Sequence, residues 1–320
     1  MNSKIDSIVV VGSVALDSVK TPEGETQDAL GGSAVYFSLA ARHFTKVKMV
    51  GVVGEDFPAP HRDMLSTRGV DTSGLQALPG RTFRWVGRFG RNLNAAKTLD
   101  TQLNVFETFR PKLSEDQRAT PALFLANIDP DLQTDVLNQM TAPRLVACDT
   151  MDFWISSKRQ VLKDLLKRVD IFFVNEGEAQ KLTRQTNNVR AARKLAEWGP
   201  SVVIVKMGEH GALLLAGGRV FPFPAFPLDT VKDPTGAGDT FAGAFLGSFL
   251  ASGSDLHDVQ ALKHSMVCGT VMASFNVSDF STRVLESVEL SAVRQRTREF
   301  ADMLSCSCNG TAAHTPPAKA

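Results

Sequence analysis

Residues 233–241 read DPTGAGDTF and run straight into the apolar stretch AGAFLGSFL. Gly236 and Gly238 let the backbone turn tightly and come close to a ligand. The helical spacing of the apolar residues that follow puts the amide groups of Gly236, Ala237 and Gly238 at a helix N-terminus, where unpaired N–H donors and the helix dipole favour an anion, phosphate first. Asp239 falls in the first helical turn. A helix-stabilising acid contributing about 0.3–1 kcal/mol would account for Asp239 alone. It does not account for two glycines baring the backbone just before it. A phosphoryl-transfer site uses both, the amides to hold the transferring group and the carboxylate to accept a hydroxyl proton.

Other phosphate motifs are missing from the sequence. There is no G-x-x-x-x-G-K-[ST], and the first apolar run continues as GSVALDSV rather than into G-x-G-x-x-G. This speaks against a P-loop enzyme, a protein kinase and a dinucleotide oxidoreductase.

The elements that must position the 233–241 stretch follow from apolar patterning. SIVVVGSV, KVKMVGVV, ALFLANI, RLVACDT, DIFFVN and VVIVKMG are nearly continuous apolar runs, as parallel strands covered on both faces require. Between them lie helical patterns such as SAVYFSLAARHF, PDLQTDVLNQM, SKRQVLKDLLKRV and VRAARKLAEWG. The alternation predicts a doubly wound α/β sheet. After residue 236 the pattern is mainly helical. Two regions break the alternation, about 15–22 and 81–109, the latter reading as a hairpin around RNLNAAK. They predict either a plain surface hairpin or a small sheet that closes over a substrate and excludes water. Asp149 and Asp152 sit near a strand end, where ligands gather in open α/β sheets. They also read as helix caps, and they are left outside the predicted site.

Composition narrows the partners. A net charge of +1 with 22% charged and 43% hydrophobic residues gives no basic field for nucleic acid or membrane surfaces and leaves small solutes as the expected ligands. The apolar runs fall short of the roughly 20 residues that span a bilayer, and MNSKIDS has no secretory character, so the cytoplasm and free thiols are expected. Cys306 and Cys308 form a C-x-C pair with no second pair to complete a zinc set. Residues 1–304 read as one principal domain and 305–320, small and polar with adjacent prolines, as a disordered tail.

Five strings occur in a familiar order: GGSAVYFSLAA at 31–41, VGVVGEDF at 50–57, VNEGEA at 174–179, VKMGEHGALL at 205–214 and DPTGAGDTFAGAF at 233–245. From about residue 7 to 304 the chain resembles the ribokinase-like, or PfkB, family of carbohydrate and nucleoside kinases. The resemblance implies a three-layer α/β/α fold with a central, mostly parallel sheet and a small β-sheet lid. It implies ATP-dependent phosphorylation of a hydroxyl, first of all the primary hydroxymethyl of a sugar. A nucleoside acceptor is the alternative, and a catalytically silent binding protein of the same fold is the second.

By the same resemblance Asp239 is the catalytic base and the amides of Gly236, Ala237 and Gly238 form the anion hole. Asn175 and Glu178 match an N-x-x-E element associated with Mg2+, water and nucleotide phosphates, Glu178 acting directly or through water. Lys206, Gly208 and Gly211 match a nucleotide-side K-x-G-x-x-G element. Asp233 and Thr235 match positions that hold a monovalent cation in some relatives; whether this chain keeps that K+ site stays open. Asp17 matches the acceptor of substrate hydroxyls, and a carboxylate can take both hydrogen bonds of a vicinal diol. Gly31 and Gly32 allow close approach to the sugar. Tyr36, the chain's single tyrosine, stands where many sugar-specific members have asparagine, so ribokinase specificity does not transfer directly. Phe83, Trp85 and Phe89 of the lid region would suit a nucleobase or a packed lid face equally. A homodimer through the lid is left open.

Overall fold

The computed structural model describes residues 5–305 of the 320-residue chain. Among the described residues there are thirteen strands: β1 (Ser7–Val11), β2 (Ala15–Thr21), β3 (Gly24–Gly31), β4 (Lys46–Gly54), β5 (Val70–Leu78), β6 (Phe83–Phe89), β7 (Ala96–Gln102), β8 (Ala122–Leu125), β9 (Leu145–Cys148), β10 (Ile171–Asn175), β11 (Val202–Lys206), β12 (Ala212–Ala216) and β13 (Arg219–Phe223). Nine form a central sheet in the order β13-β12-β11-β10-β9-β8-β1-β4-β5, and four form a small sheet in the order β3-β2-β6-β7. Pairing in the large sheet is parallel from β5 through β11 and antiparallel only at β11–β12 and β12–β13.

The apolar runs explain the layers. Successive strand residues point to opposite faces, and on β1 Ile8 and Val10 enter one core while Val9 and Val11 enter the other. On β10 Ile171 and Phe173 part from Phe172 and Val174 in the same way. The first core is closed by the helices Ser33–Ala41, Ala237–Ser252, Val259–Asn276 and Leu290–Leu304; the second by Pro130–Gln139, Arg159–Leu166, Glu176–Thr183 and Asn188–Ala196. The three layers and the small appended sheet match the architecture expected from the sequence.

Some elements differ from the expectation. The hairpin ends at Gln102, and residues 103–109 return to the body because Val105 and Phe109 bury themselves in the core. The strand β2 pairs parallel with β6 and antiparallel with β3. Strands β3, β5, β12 and β13 lie outside the runs expected from the sequence, although β12, ALLLA, is itself a continuous apolar run. The sequence of β3, GETQDALG, is mostly exposed, so it lacks the alternation that betrays a half-buried strand.

Among the described residues no helix is long and apolar enough to cross a membrane. Cys148 and Cys268 are buried free thiols. Cys306, Cys308 and the tail from residue 306 lie outside the described residues.

Candidate active site

The helix Ala237–Ser252 begins where the glycines foretold. Gly236 caps it in the left-handed region at φ 73°, where a side chain would be strained. A Cβ there would also collide with the ring of Tyr36, which lies flat against this turn. The first turn of this helix lies beside Lys206 at the carboxyl end of β11. The Ala237 N–H turns back to the Pro234 carbonyl at 3.2 Å. The amides of Gly236 and Gly238 are left as the donors that face outward from the turn.

Three strand ends meet this helix start. Lys206 closes β11 in register with Asn175 of β10, and its Nζ donates to Asp149 Oδ2 at 2.6 Å just past the end of β9. A Cβ on Gly238 would come within 2.9 Å of Lys206 Nζ, which puts the ammonium beside the helix start. Asn175 caps the helix Glu176–Thr183: its Oδ1 accepts the Glu178 N–H at 2.8 Å, and Glu178 Oε2 accepts the Asn175 N–H at 2.8 Å. Glu178 is thus a buried capping acid rather than a solvated one.

The electrostatics of this half are crowded. Burial, and after it the charge of Asp149, pushes the Asp239 carboxyl up to about 7 against the pull of Lys206. Burial and Asp149 likewise push Glu178 up to about 8. Burial would lower the Lys206 ammonium, but Asp149, Glu178 and Asp239 together outweigh it and hold it above its ordinary range. Asp149, Glu178 and Asp239 face one ammonium, so a polyphosphate would enter this half with additional cations. Among the described residues no cluster of three or more His, Cys, Asp or Glu could hold a metal by itself.

The second half of the site lies under the small sheet. Asp17 on β2 is buried, and a Cβ on Gly31 would overlap its carboxylate, so only glycine leaves room there. Burial first, then the charges of Asp233 and Asp239, push Asp17 up to about 8, while the Gly32 backbone N–H pulls it down. Gly32, at φ 99°, caps the helix Ser33–Ala41. That helix is bolted to the end of β1 by Ser13 N–H to Ser33 Oγ at 3.1 Å and Ser33 N–H to Ser13 Oγ at 3.0 Å. Tyr36 is buried, and its phenol is raised by burial, Asp17, Asp233 and Asp239. Its ring serves the core and the turn at once.

Asp233 precedes the turn and is spanned by backbone donors, Thr235 N–H at 2.9 Å and Ser281 N–H at 3.1 Å. Thr235 Oγ1 and Asn276 Oδ1 are buried nearby without a hydrogen-bond partner, while Asn276 Nδ2 donates to the Thr235 carbonyl at 2.8 Å. A buried carboxylate beside orphaned oxygens is the donor chemistry of a hard, weakly hydrated cation.

Gly208 and Gly211 stand apart from this cluster in the turn between β11 and β12. Both have positive φ. Gly208 is overlain by Asn94 from the β6–β7 loop, and Gly211 abuts the Phe223 carbonyl. Asp149, outside the site expected from the sequence, lies at its centre through its ion pair with Lys206. Its neighbour Asp152 does open a helix, Asp152–Ser157, and pairs with Lys181 at 3.1 Å. The strand end was the available signal for Asp149, but pairing with a lysine 57 residues away has no trace in spacing.

A family profile described as pfkB family carbohydrate kinase matches residues 4–287. The chain is 32% identical over 253 residues to a cytidine kinase of Thermococcus kodakarensis, covering 76% of this chain and 88% of that one. It is 27% identical over 298 residues to a deoxyribokinase of Salmonella typhi, covering 86% and 94%. In fold it is similar to the crystal structure of a nucleoside kinase of Methanocaldococcus jannaschii, with a TM-score of 0.73 at 19% identity over 92% of this chain and 99% of the other.

Proposed function

The chain belongs to the pfkB family of carbohydrate kinases and is an ATP-dependent kinase of a sugar or nucleoside, and on that premise we propose that Asp239 is the base that activates the acceptor hydroxyl. Residues 1–304 act as one kinase domain. The observation that carries the reading is the position of Asp239. It stands in the first turn of the helix capped by Gly236, next to Gly238, which abuts Lys206 Nζ, and its charge acts on both Asp17 and Lys206. A carboxyl near 7 is poised to take a proton at neutral pH.

In this reading Asp17 holds two hydroxyls of the acceptor, with Gly31, Gly32 and Tyr36 around it. The primary hydroxymethyl group reaches Asp239. As the hydroxyl oxygen forms its bond to the γ-phosphorus, its proton passes to Asp239 and the bond to the ADP oxygen breaks. The amides of Gly236 and Gly238 hold the transferring oxygens, with Ala237 joining when its bond to Pro234 opens. Lys206, held charged by its acid neighbours, faces the phosphates, while Asn175, Gly208 and Gly211 shape the nucleotide side. Glu178, directly or through water, would hold Mg2+, which would neutralise charge on the phosphates. Asp233, Thr235 and the orphaned oxygen of Asn276 fit K+ beside the turn. The exposed edge strand β7 suits pairing with a second copy, which sedimentation of the purified protein would read.

The test is ADP release with Mg2+, with and without K+, across sugars and nucleosides. Asp239→Asn is expected to lower kcat by about 10²–10⁴-fold while acceptor binding persists. Unchanged turnover in this variant would remove Asp239 as the base. A nucleoside acceptor is the second reading, favoured by the 32% identity to a cytidine kinase.

A further inference from the structure

We propose that Trp85 is the platform on which a planar base of the acceptor stacks, so that the acceptor class is a nucleoside rather than a free sugar. The inference deepens, and rests on, the acceptor placement at Asp17 and Asp239. It begins from strand register. Trp85 on β6 is the direct partner of Asp17 on β2, and residues opposite one another on adjacent strands project from the same face, about 5 Å apart. Ala15, Asp17, Val19 and Thr21 form the buried face of β2, where Thr21 Oγ1 reaches the Lys232 carbonyl just before the Asp233–Gly236 turn, so Trp85 shares the face of the small sheet that looks onto the site.

The indole is held in a single attitude. It lies over Gly87, where a Cβ would overlap the ring atoms and force it off the sheet. Gly87 is buried as a result, whereas Trp85 is half-buried. Trp85 Nε1 donates to Thr98 Oγ1 of β7 at 3.1 Å, so the polar edge of the ring is satisfied within the lid. One π-face rests on the sheet and the other is left for a ligand. A glycine seat and a hydroxyl lock are costly to explain as packing alone, since an interior glycine weakens a strand.

Direction settles which part of the acceptor meets it. Thr21 Oγ1 of β2 donates to the Lys232 carbonyl at 2.7 Å, and Ser281 Oγ donates to the Leu30 carbonyl of β3 at 2.6 Å, while Ser281 N–H holds Asp233. The phosphoryl-transfer turn therefore lies on the β3 flank of Asp17, and Trp85 lies on the opposite flank, because β2 sits between β3 and β6. A furanoside with its diol on Asp17 and its hydroxymethyl toward Asp239 projects its C1′ substituent the other way, over Trp85. A free pentose has only a hydroxyl there and leaves the indole face unused.

The experiment compares cytidine and adenosine with ribose, in kinetics and in calorimetric binding, for the wild type and for Trp85→Ala, Trp85→Phe and Thr98→Val. Trp85→Ala is expected to lower the nucleoside-to-ribose ratio of kcat/KM by about tenfold or more, chiefly through the nucleoside KM. Trp85→Phe should recover most of that loss and Thr98→Val should lose part of it. Equal losses on ribose and nucleosides would assign Trp85 to lid packing and overturn the proposal, as would a wild type that turns over ribose and neither nucleoside. If the wild type phosphorylates nothing yet binds a nucleoside in a Trp85-dependent way, phosphoryl transfer is refuted and the platform stands. Absence of both nucleoside binding and nucleoside turnover overturns the platform.

Discussion

Asp239 can serve as a base only in its ionised form, and its carboxyl is raised to about 7 by burial and Asp149. We expect kcat/KM for the acceptor to rise with pH through about 7, as Asp239 ionises, and to level only above about 8, where Asp17 is ionised as well, read from initial rates at saturating MgATP. A flat profile between pH 5 and 9 would contradict a base with that environment. The same shift has a stability consequence of known sign. Between the ordinary carboxylate range near 4 and about 7, the folded state holds a proton that the unfolded chain has released, so this group's contribution to stability falls as pH rises. Asp239→Asn keeps the neutral form permanently. It should raise Tm relative to the wild type at pH 8 and leave the two alike at pH 4, the reverse of its effect on activity. The glycines and the aspartate of this turn were legible because their chemistry is local. Asp149 was not legible, because its meaning comes from Lys206 reaching across from β11.

At the scale of elements, the VGVVGEDF string has a mechanical role. Asp56 Oδ1 accepts both the N–H and the hydroxyl of Thr82 at 2.7 Å, and Oδ2 accepts Arg84 Nη1 at 2.7 Å. Arg84 also reaches Asp28 on β3 at 3.1 Å. Asp56 thereby ties the entry of β6 to the end of β4 and sets the angle at which the small sheet leaves the large one. Asp56→Ala should loosen that joint and raise the acceptor KM about three- to tenfold, with a smaller change in the KM for ATP. Equal changes in both, or none, would show that the joint does not govern the acceptor side. The buried strands and the amphipathic helices were readable from periodicity, since burial on two faces or one leaves a pattern. The strand β3 was not, because it is held by pairing with β2 rather than by an apolar face.

For the molecule as a whole, the proposed acceptor and nucleotide halves share one helix start, so ligands of both halves should stabilise the same folded unit. A non-hydrolysable ATP analogue with Mg2+ at a hundredfold over its Kd should add about 2.7 kcal/mol, seen as a Tm several degrees higher, and an acceptor should add a further rise. A Tm that responds to acceptor alone would count against a nucleotide site. The sequence by itself determined the reaction type and the α/β class and supplied the residues now proposed for the site, because the glycine-rich turn, the strand runs and the ordered motifs are local or periodic features. Only the tertiary structure decided which acids surround Lys206, that Tyr36 packs against the Gly236 turn, and that Trp85 stands in register beside Asp17. Those facts depend on strand order and register, and contacts between residues far apart in the chain leave no spacing in a single sequence for a reader to find.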